Sequence, residues 1–309
     1  MRIVVHGQQA FGKSVLEALL ERGENVVGVY CAPDPAQGGR VDPLKEGALG
    51  RGLPVHQPKS FRNKPEVWEE FGRLKADLCV MAYVTLIVPE EVLNMPTRGT
   101  IQYHPSLLPL HRGPSSINWP IIQGDTRTGL TIFWPDQGLD TGPILLQKEV
   151  EIRDTDTLGS LYFDRLFPLG VAALLEGVDL VRTGKAPKIV QDESKATYEG
   201  WCKKEHVQVD WNKPLQTTWN LIRGADPQPG AWTTFGGATV QLLDAKKLEG
   251  GAAAQPGQVL AVDDTGMTVA APGGRILVTR VRADGGQKVA AGAFAKSAGL
   301  APGARLGTA

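Results

Sequence analysis

Short apolar runs alternate with helix-like segments through the first half of the chain, and this alternation limits the possible folds more than any other feature. Strands that alternate with helices predict a mostly parallel sheet with helices on both faces. We therefore expect a doubly wound α/β domain. The strand-like runs are RIVVH (2–6), NVVGVYC (25–31), 78–83 and 100–103, and the helix-like segments are 12–21, KPEVWEEFGRLK (64–75) and VPEEVLN (88–94).

The last third of the chain has a different character. VQLLDA, QVLAV, MTVAA and RILVTRV are short strand-like runs separated by glycine-rich turns, which is typical of a small β-barrel. Before them, apolar residues at helical spacing predict a long helix within 155–184, and a polar stretch follows it. Because 309 residues exceed what one core usually holds, we predict three parts: a catalytic domain at 1–184, a linker at 185–206 and a barrel domain at 207–309.

Charge and composition exclude several classes of protein. Basic and acidic residues both number 33, so the net charge is zero and nucleic acid would have to be bound by a local basic patch. The N-terminal apolar run is too short for a signal peptide, and no run reaches the ~18 apolar residues of a membrane span. We expect a cytoplasmic protein without membrane contact. Cys31, Cys79 and Cys202 lack CxxC spacing, which favours reduced thiols.

A histidine and an aspartate follow two of the strand-like runs. His104 comes directly after TIQY, and Asp140 lies in the turn PDQGLDTG that follows LTIFW. Ligands of open α/β sheets collect at the carboxyl ends of strands. A carboxylate beside an imidazole orients the ring and stabilises its charged form, which suits general acid and base catalysis. By spacing alone, a histidine before a proline is more often a structural hydrogen-bonding residue.

Other chemistries have weaker support. His104, His111 and Asp140 lack the HxxxH spacing of a metal site and have no cysteine nearby. No GxSxG motif is present, so the sequence does not favour a serine hydrolase. The segment 7–14, GQQAFGKS, formally matches GxxxxGK[ST], but its long and aromatic side chains disfavour phosphate binding by backbone amides. The GxGxxG spacing of dinucleotide-binding proteins is also missing.

The segments HPSLLPLHRG (104–113) and GLTIFWPDQGLDTGPILLQ (129–147) resemble the folate-dependent formyltransferases. Within that family, further segments are similar to the hydrolase domain of 10-formyltetrahydrofolate dehydrogenases. The resemblance implies a Rossmann-like catalytic domain followed by an OB-like barrel, and 10-formyltetrahydrofolate as the formyl donor. It implies neither a metal nor a nicotinamide cofactor. The further segments are PDPAQGGRVDPL (33–44), SSINW (115–119), ATYEG (196–200), KKE (203–205) and IRGADPQPGAW (222–232).

The resemblance also implies a set of site residues. His104 and Asp140 match the catalytic histidine and aspartate of the family, while Gln102 stands where many members have asparagine. A protonated His104 and the Gln102 amide would stabilise the negatively charged oxygen of the tetrahedral intermediate that forms at the formyl carbon. Without the resemblance, Tyr83 and Trp134 would more readily be assigned to the core, because an aromatic residue beside a strand end is more often buried than part of a ligand site. The implied pterin slot is formed by Met81, Ala82, Tyr83 and Leu86 on one loop and by Trp134, Pro135, Asp136, Gln137 and Gly138 on another.

Three functions remain open after the sequence has been considered. The first is transfer of the formyl group to water or a small amine. The second is methionyl-tRNA formyltransferase acting on initiator tRNA, which is disfavoured because the loop after Cys31 lacks a lysine-rich segment. The third is a noncatalytic folate-binding protein, suggested by Gln102. No aldehyde dehydrogenase domain follows within the 309 residues, so we expect no oxidation of the formyl group by NAD.

Overall fold

The structure is a computed structural model that describes residues 1–35, 39–251 and 254–307. The chain divides into two compact units, the first formed by Met1–Gly113, Gly129–Val150 and Asp164–Tyr198, and the second by Pro114–Thr128, Glu151–Phe163 and Glu199–Ala309. The domain boundaries drawn from the sequence remain predictions. Residues 36–38, within the segment PDPAQGGRVDPL, lie outside the described residues.

The helices and strands follow the predicted alternation. In chain order they are β1 (Arg2–Gly7), α1 (Gln9–Glu21), β2 (Asn25–Tyr30), α2 (Pro43–Leu49), β3 (Val55–His56), α3 (Pro65–Arg73), β4 (Leu78–Ala82), α4 (Glu90–Leu93), β5 (Thr100–His104), α5 (Asn118–Gln123), β6 (Arg127–Phe133), β7 (Ile144–Glu151), α6 (Leu158–Ser160), α7 (Phe167–Arg182), α8 (Leu215–Gly224), β8 (Trp232–Phe235), β9 (Ala238–Glu249), β10 (Val259–Asp263), β11 (Gly266–Ala271), β12 (Gly274–Ala283), β13 (Val289–Ala290) and α9 (Ala291–Ser297).

Seven strands form the sheet of the first unit, in the order β3-β2-β1-β4-β5-β6-β7. The neighbours from β3 to β5 pair in parallel, whereas β6 runs antiparallel to β5. This arrangement confirms the predicted doubly wound, mostly parallel sheet. The strand order reverses between β1 and β4, and such switch points are where open α/β sheets bind ligands.

Both faces of this sheet are covered by apolar side chains. On one face, Phe11, Val15 and Leu19 of α1 lie at helical spacing and pack with Tyr103 of β5. On the other face, Phe61 and other apolar residues pack with alternate residues of the same strands. Because side chains alternate along a strand, neighbouring residues of β5 belong to opposite faces.

The second unit contains an antiparallel sheet in the order β10-β11-β12-β9-β8, with β13 paired to β12. Its core contains Trp211 and Trp219 together with Val240, Leu242 and Val278 of the sheet. Alternation along the strands places these residues on one face, as in the small antiparallel domain that the sequence predicted. That part of the fold prediction is confirmed.

The predicted long helix is present. By length and composition, the helical stretch Leu158–Arg182 could cross a membrane, although the sequence has no continuous apolar run of that length. Ala173, Leu174 and Val178 of this stretch are buried in the core that covers the sheet. Core helices of soluble proteins have the same property, so the stretch is weak evidence for a membrane span. All three cysteines are buried free thiols, as the sequence predicted.

Candidate active site

His104 is the last residue of β5 and is almost fully buried, with 5% of its surface exposed. Its Nε2 donates to the backbone carbonyl of His111 at 2.9 Å. Because a carbonyl oxygen can only accept, this contact places a hydrogen on Nε2. Nδ1 is then the ring nitrogen that can gain or lose a proton. It is also the nitrogen that faces the nearest carboxylate.

That carboxylate belongs to Asp140, which is 6% exposed. Its Oδ2 accepts a hydrogen bond from the backbone amide of Gly113 at 2.9 Å and lies 3.6 Å from His104 Nδ1. At 3.6 Å the two side chains attract each other as an ion pair when the ring is protonated, but they are too far apart for a direct hydrogen bond. The structure thus brings together the histidine and aspartate that the sequence singled out.

The route by which Asp140 reaches His104 differs from the expected one. The strands β5 and β6 are antiparallel, so Phe133 at the end of β6 lies opposite Gln102, and the two strands do not end at the same edge of the sheet. The connection 134–143 turns back instead, and it carries Asp140 in the left-handed backbone region at φ +59°. The contact therefore depends on the shape of this connection, which we call the Asp140 loop.

Gln102 lies two residues before His104 on β5, so both side chains project from the same face of the sheet. Its Cα pairs with Met81 on one side and Phe133 on the other. The side chain is half-buried, and within the described ranges its amide has no hydrogen-bond partner. The amide could therefore donate to a ligand that lies beside His104.

The first predicted pterin loop begins inside β4. Met81 and Ala82 are buried strand residues, and the carbonyl of Ala82 accepts a hydrogen bond from Gln8 N at 3.3 Å. Tyr83 follows at φ +66° with 45% of its surface exposed, so its side chain does not belong to the core. Leu86 is half-buried against the apolar cluster of Phe61 and its neighbours.

The second predicted pterin loop is the beginning of the Asp140 loop. The Trp134 indole packs at the edge of the core and donates from Nε1 to the carbonyl of Pro187 at 2.8 Å, so its side chain supports the loop. Pro135 is half-buried next to it, and Gln137 is exposed. The Asp136 carboxylate accepts hydrogen bonds from the exposed Gly138 N at 3.0 Å and from Thr141 Oγ1 at 2.6 Å, which closes a tight turn. A pterin-binding role for either loop remains a prediction.

Sequence reasoning missed a polar network next to the pair, in which Arg112 and Gln191 are buried and Glu193 is exposed. Arg112 is 4% exposed and donates to both carboxylate oxygens of Glu193, at 2.6 and 2.9 Å, and to Oε1 of Gln191, at 2.8 and 3.3 Å. The hydrogen bond to Arg112 lowers the pKa of Glu193, so the ion pair persists well below neutral pH. Nothing in the polar composition of 185–206 signals this role.

Tyr198 lies close to the same network. Burial of its hydroxyl and the nearby Asp140 carboxylate raise the pKa of Tyr198, while Arg112 acts in the opposite direction. The phenol therefore stays neutral at physiological pH. More than half of Tyr198 is exposed. Its ring therefore faces solvent, while its hydroxyl interacts electrostatically with the Asp140 carboxylate.

The structure also explains why the segment 7–14 is a poor phosphate site. The carboxylate of Asp42 accepts hydrogen bonds from Gln9 N at 3.0 Å and from Leu44 N at 2.8 Å, so an acidic side chain occupies the start of α1. A Cβ on Gly7 would lie 2.3 Å from the carbonyl oxygen of Ala82. This glycine thus allows β1 and β4 to approach each other.

Among the described residues, no cluster of three or more histidine, cysteine or acidic side chains could hold a metal ion.

Comparison with known proteins identifies the family. A formyl transferase model matches residues 1–177, and the model of the formyl transferase C-terminal domain matches residues 202–299. The chain therefore belongs to the formyl transferase family, whose members transfer one-carbon groups. It is 40% identical over 311 residues to the cytosolic 10-formyltetrahydrofolate dehydrogenase of Xenopus tropicalis, covering 96% of this chain and 34% of the relative. The chain thus spans about a third of that relative's length.

A second relative is matched along nearly its whole length. The methionyl-tRNA formyltransferase of Trichlorobacter lovleyi is 39% identical over 309 residues, covering 99% of this chain and 96% of the relative. Among solved structures, HypX from Aquifex aeolicus in complex with tetrahydrofolic acid superposes with a TM-score of 0.70 at 22% identity, over 96% of this chain and 47% of HypX. An N-formyltransferase from Helicobacter canadensis also reaches 0.70, at 16% identity over 90% of this chain and 98% of its own. These two likenesses establish the fold alone.

Proposed function

We propose that this protein removes the formyl group from 10-formyltetrahydrofolate and passes it to water or a small amine, releasing tetrahydrofolate. The observation that carries the proposal is the buried contact between His104 and Asp140, on a chain that is 40% identical to 10-formyltetrahydrofolate dehydrogenase. With water as the acceptor the products are formate and tetrahydrofolate. We also propose a cytoplasmic location, which the three free thiols support.

The proposed mechanism gives His104 the role of hydrogen-bond donor to the formyl oxygen. The carbonyl of His111 holds Nε2 and so fixes the ring, which leaves Nδ1 to carry the catalytic proton. Asp140, at 3.6 Å from Nδ1, stabilises the protonated ring. Negative charge develops on the formyl oxygen as water attacks. A donor that is already oriented therefore stabilises the transition state more than the ground state, and this lowers the barrier. The Gln102 amide can supply a second donor.

Asp140 has a second role in this mechanism. Its Oδ2 is held by Gly113 N, so Oδ1 remains to accept the proton of the attacking water. A bond forms between the water oxygen and the formyl carbon, and a tetrahedral intermediate results. When the bond from this carbon to N10 breaks, Asp140 passes the proton it accepted to N10, and tetrahydrofolate leaves. The other product is formic acid, which loses its proton to solvent and becomes formate. No oxidation occurs in these steps.

Binding of the folate is proposed in the slot between the Met81 to Leu86 segment and the Asp140 loop. Tyr83, which lies at positive φ, is exposed there, and so are Gln137 and Gly138. The fold likeness to HypX, solved in complex with tetrahydrofolic acid, supports a folate in this family of folds. We propose no metal and no nicotinamide in the reaction.

The test is turnover of 10-formyltetrahydrofolate, followed by tetrahydrofolate release. We expect His104→Ala and Asp140→Ala each to reduce kcat by ~100-fold or more, the usual cost of losing an oxyanion donor and a general base, respectively. His206→Ala and Asp264→Ala serve as matched controls, because both side chains are exposed residues of the other unit. Near-normal turnover by His104→Ala or Asp140→Ala contradicts the mechanism.

Methionyl-tRNA formyltransferase is the second candidate, favoured by the match to 96% of such an enzyme. A tRNA substrate predicts strong stimulation of tetrahydrofolate release by charged initiator tRNA. It also predicts an affinity for tRNA that falls steeply as salt rises, because phosphate contacts release counterions. Water or a small amine as acceptor predicts neither effect. A protein that binds the folate but leaves the formyl group intact over hours would be the noncatalytic alternative.

A further inference from the structure

Gln191 makes four hydrogen bonds next to the proposed catalytic pair. It is 5% exposed. Its Nε2 donates to the carbonyl oxygens of Asp140 at 2.9 Å and Gly142 at 2.7 Å, and its Oε1 accepts from Nη2 and Nε of Arg112 at 2.8 and 3.3 Å. A glutamine amide offers two donors and two acceptor positions, and all four are used here.

These bonds hold a backbone conformation that is uncommon for residues other than glycine, although aspartate tolerates it better than most. Asp140 has φ +59°, in the left-handed region that residues with a Cβ seldom adopt. The two carbonyls that accept from Gln191 belong to Asp140 and Gly142, so the side chain holds the backbone of the turn at two points. Arg112 in turn is held by Glu193. Gln191 therefore connects the Arg112–Glu193 ion pair to the turn that presents the Asp140 carboxylate.

We propose that Gln191 is a positioning residue, which keeps the Asp140 carboxylate in place beside His104 Nδ1 through its two bonds to the Asp140 loop. This inference rests on the proposed function for its consequence in turnover. Only an amide can accept from Arg112 and also donate to the two loop carbonyls. A glutamate would accept from Arg112, but its second oxygen would face the two carbonyl oxygens and repel them. A methionine would bond neither to Arg112 nor to the loop. Misplacing a catalytic group by about 1 Å can reduce the rate by ~100-fold.

The chain offers a matched control for substitutions at this position. Gln241 in β9 also accepts from an arginine, Arg282 Nε at 2.6 Å, and donates to a backbone carbonyl, Pro229 at 3.3 Å. It belongs to the second unit. Gln191→Met and Gln241→Met therefore each remove bonds to an arginine and to a backbone carbonyl, but only Gln191→Met acts on the Asp140 loop. Gln191→Glu keeps an acceptor for Arg112 and removes only the bonds to the loop.

We expect Gln191→Met to lower kcat for formyl release by ~10- to 100-fold, with a smaller change in KM, because the carboxylate shifts while the rest of the site remains. The kcat of Gln191→Glu should fall by as much, because the glutamate can still bond to Arg112 but cannot donate to the carbonyls of the loop. Gln241→Met should keep kcat within ~3-fold, a change of under 1 kcal/mol. Normal kcat in either Gln191 variant overturns the proposal.

A double variant shows whether Gln191 acts through Asp140. If it does, Gln191→Met combined with Asp140→Ala turns over no more slowly than Asp140→Ala alone, because groups that act as a unit are not additive. If the fold-losses in kcat of the two single variants multiply in the double variant, Gln191 acts independently of Asp140 and the inference is overturned. Merely structural damage would also lower Tm, so Tm is measured for every variant.

One measurement keeps this inference separate from the proposed function. Hydrogen exchange of the peptide that contains residues 138–143 is followed in the wild type, in Gln191→Met and in Gln241→Met. We expect faster exchange in Gln191→Met alone, since the loop has lost its anchor. If the wild-type protein releases no tetrahydrofolate but this exchange result holds, the proposed function fails and the positioning of the loop stands. Equal exchange in all three proteins overturns the positioning.

Discussion

The sharpest structural prediction concerns Gly142, which closes the Asp140 loop. A Cβ at this position would lie 1.8 Å from the carbonyl oxygen of Trp134 and 3.3 Å from the amide nitrogen of Asp136. Both neighbours are backbone atoms, so no side chain can turn away to make room. Atoms of this kind do not approach closer than about 3.0 Å, so Gly142→Ala must open the loop by about 1.2 Å, and a shift of that size at a catalytic group costs ~100-fold in rate.

The assay for Gly142→Ala is tetrahydrofolate release under saturating 10-formyltetrahydrofolate, together with a thermal melt. Gly72→Ala is the matched control, because a Cβ at Gly72 in α3 meets nothing within 4 Å. We expect the control to keep its kcat and to gain slightly in stability, since alanine is the better helix former. If Gly142→Ala folds and turns over within ~3-fold of the wild type, the Asp140 loop does not need its observed shape, and the reasoning is refuted.

Two further predictions concern buried titratable groups. His6 is 4% exposed and packs 5.3 Å from the Phe61 ring, and burial lowers its pKa to about 3. The unfolded chain takes up a proton below pH ~6.5 while the folded chain does not, so the free energy of unfolding should fall by ~2 kcal/mol between pH 7 and pH 5. Urea melts should show this loss in excess of that in His6→Phe, and equal pH slopes would contradict it. Burial also raises the pKa of Cys31 to about 11, of Cys79 to about 12 and of Cys202 to about 11. At pH 8 iodoacetamide should therefore label the three thiols in denaturant but not in the native protein, and rapid labelling of the native protein would contradict this prediction.

The sequence by itself determined the class of fold. Apolar runs alternating with helical segments predicted a doubly wound sheet, and the short strands separated by glycine-rich turns in the last third predicted a small barrel, where the structure has an antiparallel sheet. The ends of elements were less predictable. The helix α1 begins at Gln9, before the expected Gly12, because the carboxylate of Asp42 accepts from the Gln9 amide across 33 positions of sequence. Local propensity contains no information about such a contact.

The sequence also named the two central residues of the candidate site, since His104 and Asp140 stand in segments whose resemblance to formyltransferases is specific. What brings them together was decided by tertiary structure. The direction of β6 is set by pairing with β5, and it sends the chain away from His104 before the Asp140 loop returns. The bonds that hold this return come from Gln191, in a polar stretch whose composition indicates only a linker. Periodicity reports which residues are buried, whereas the partners of a buried polar group depend on contacts between distant segments.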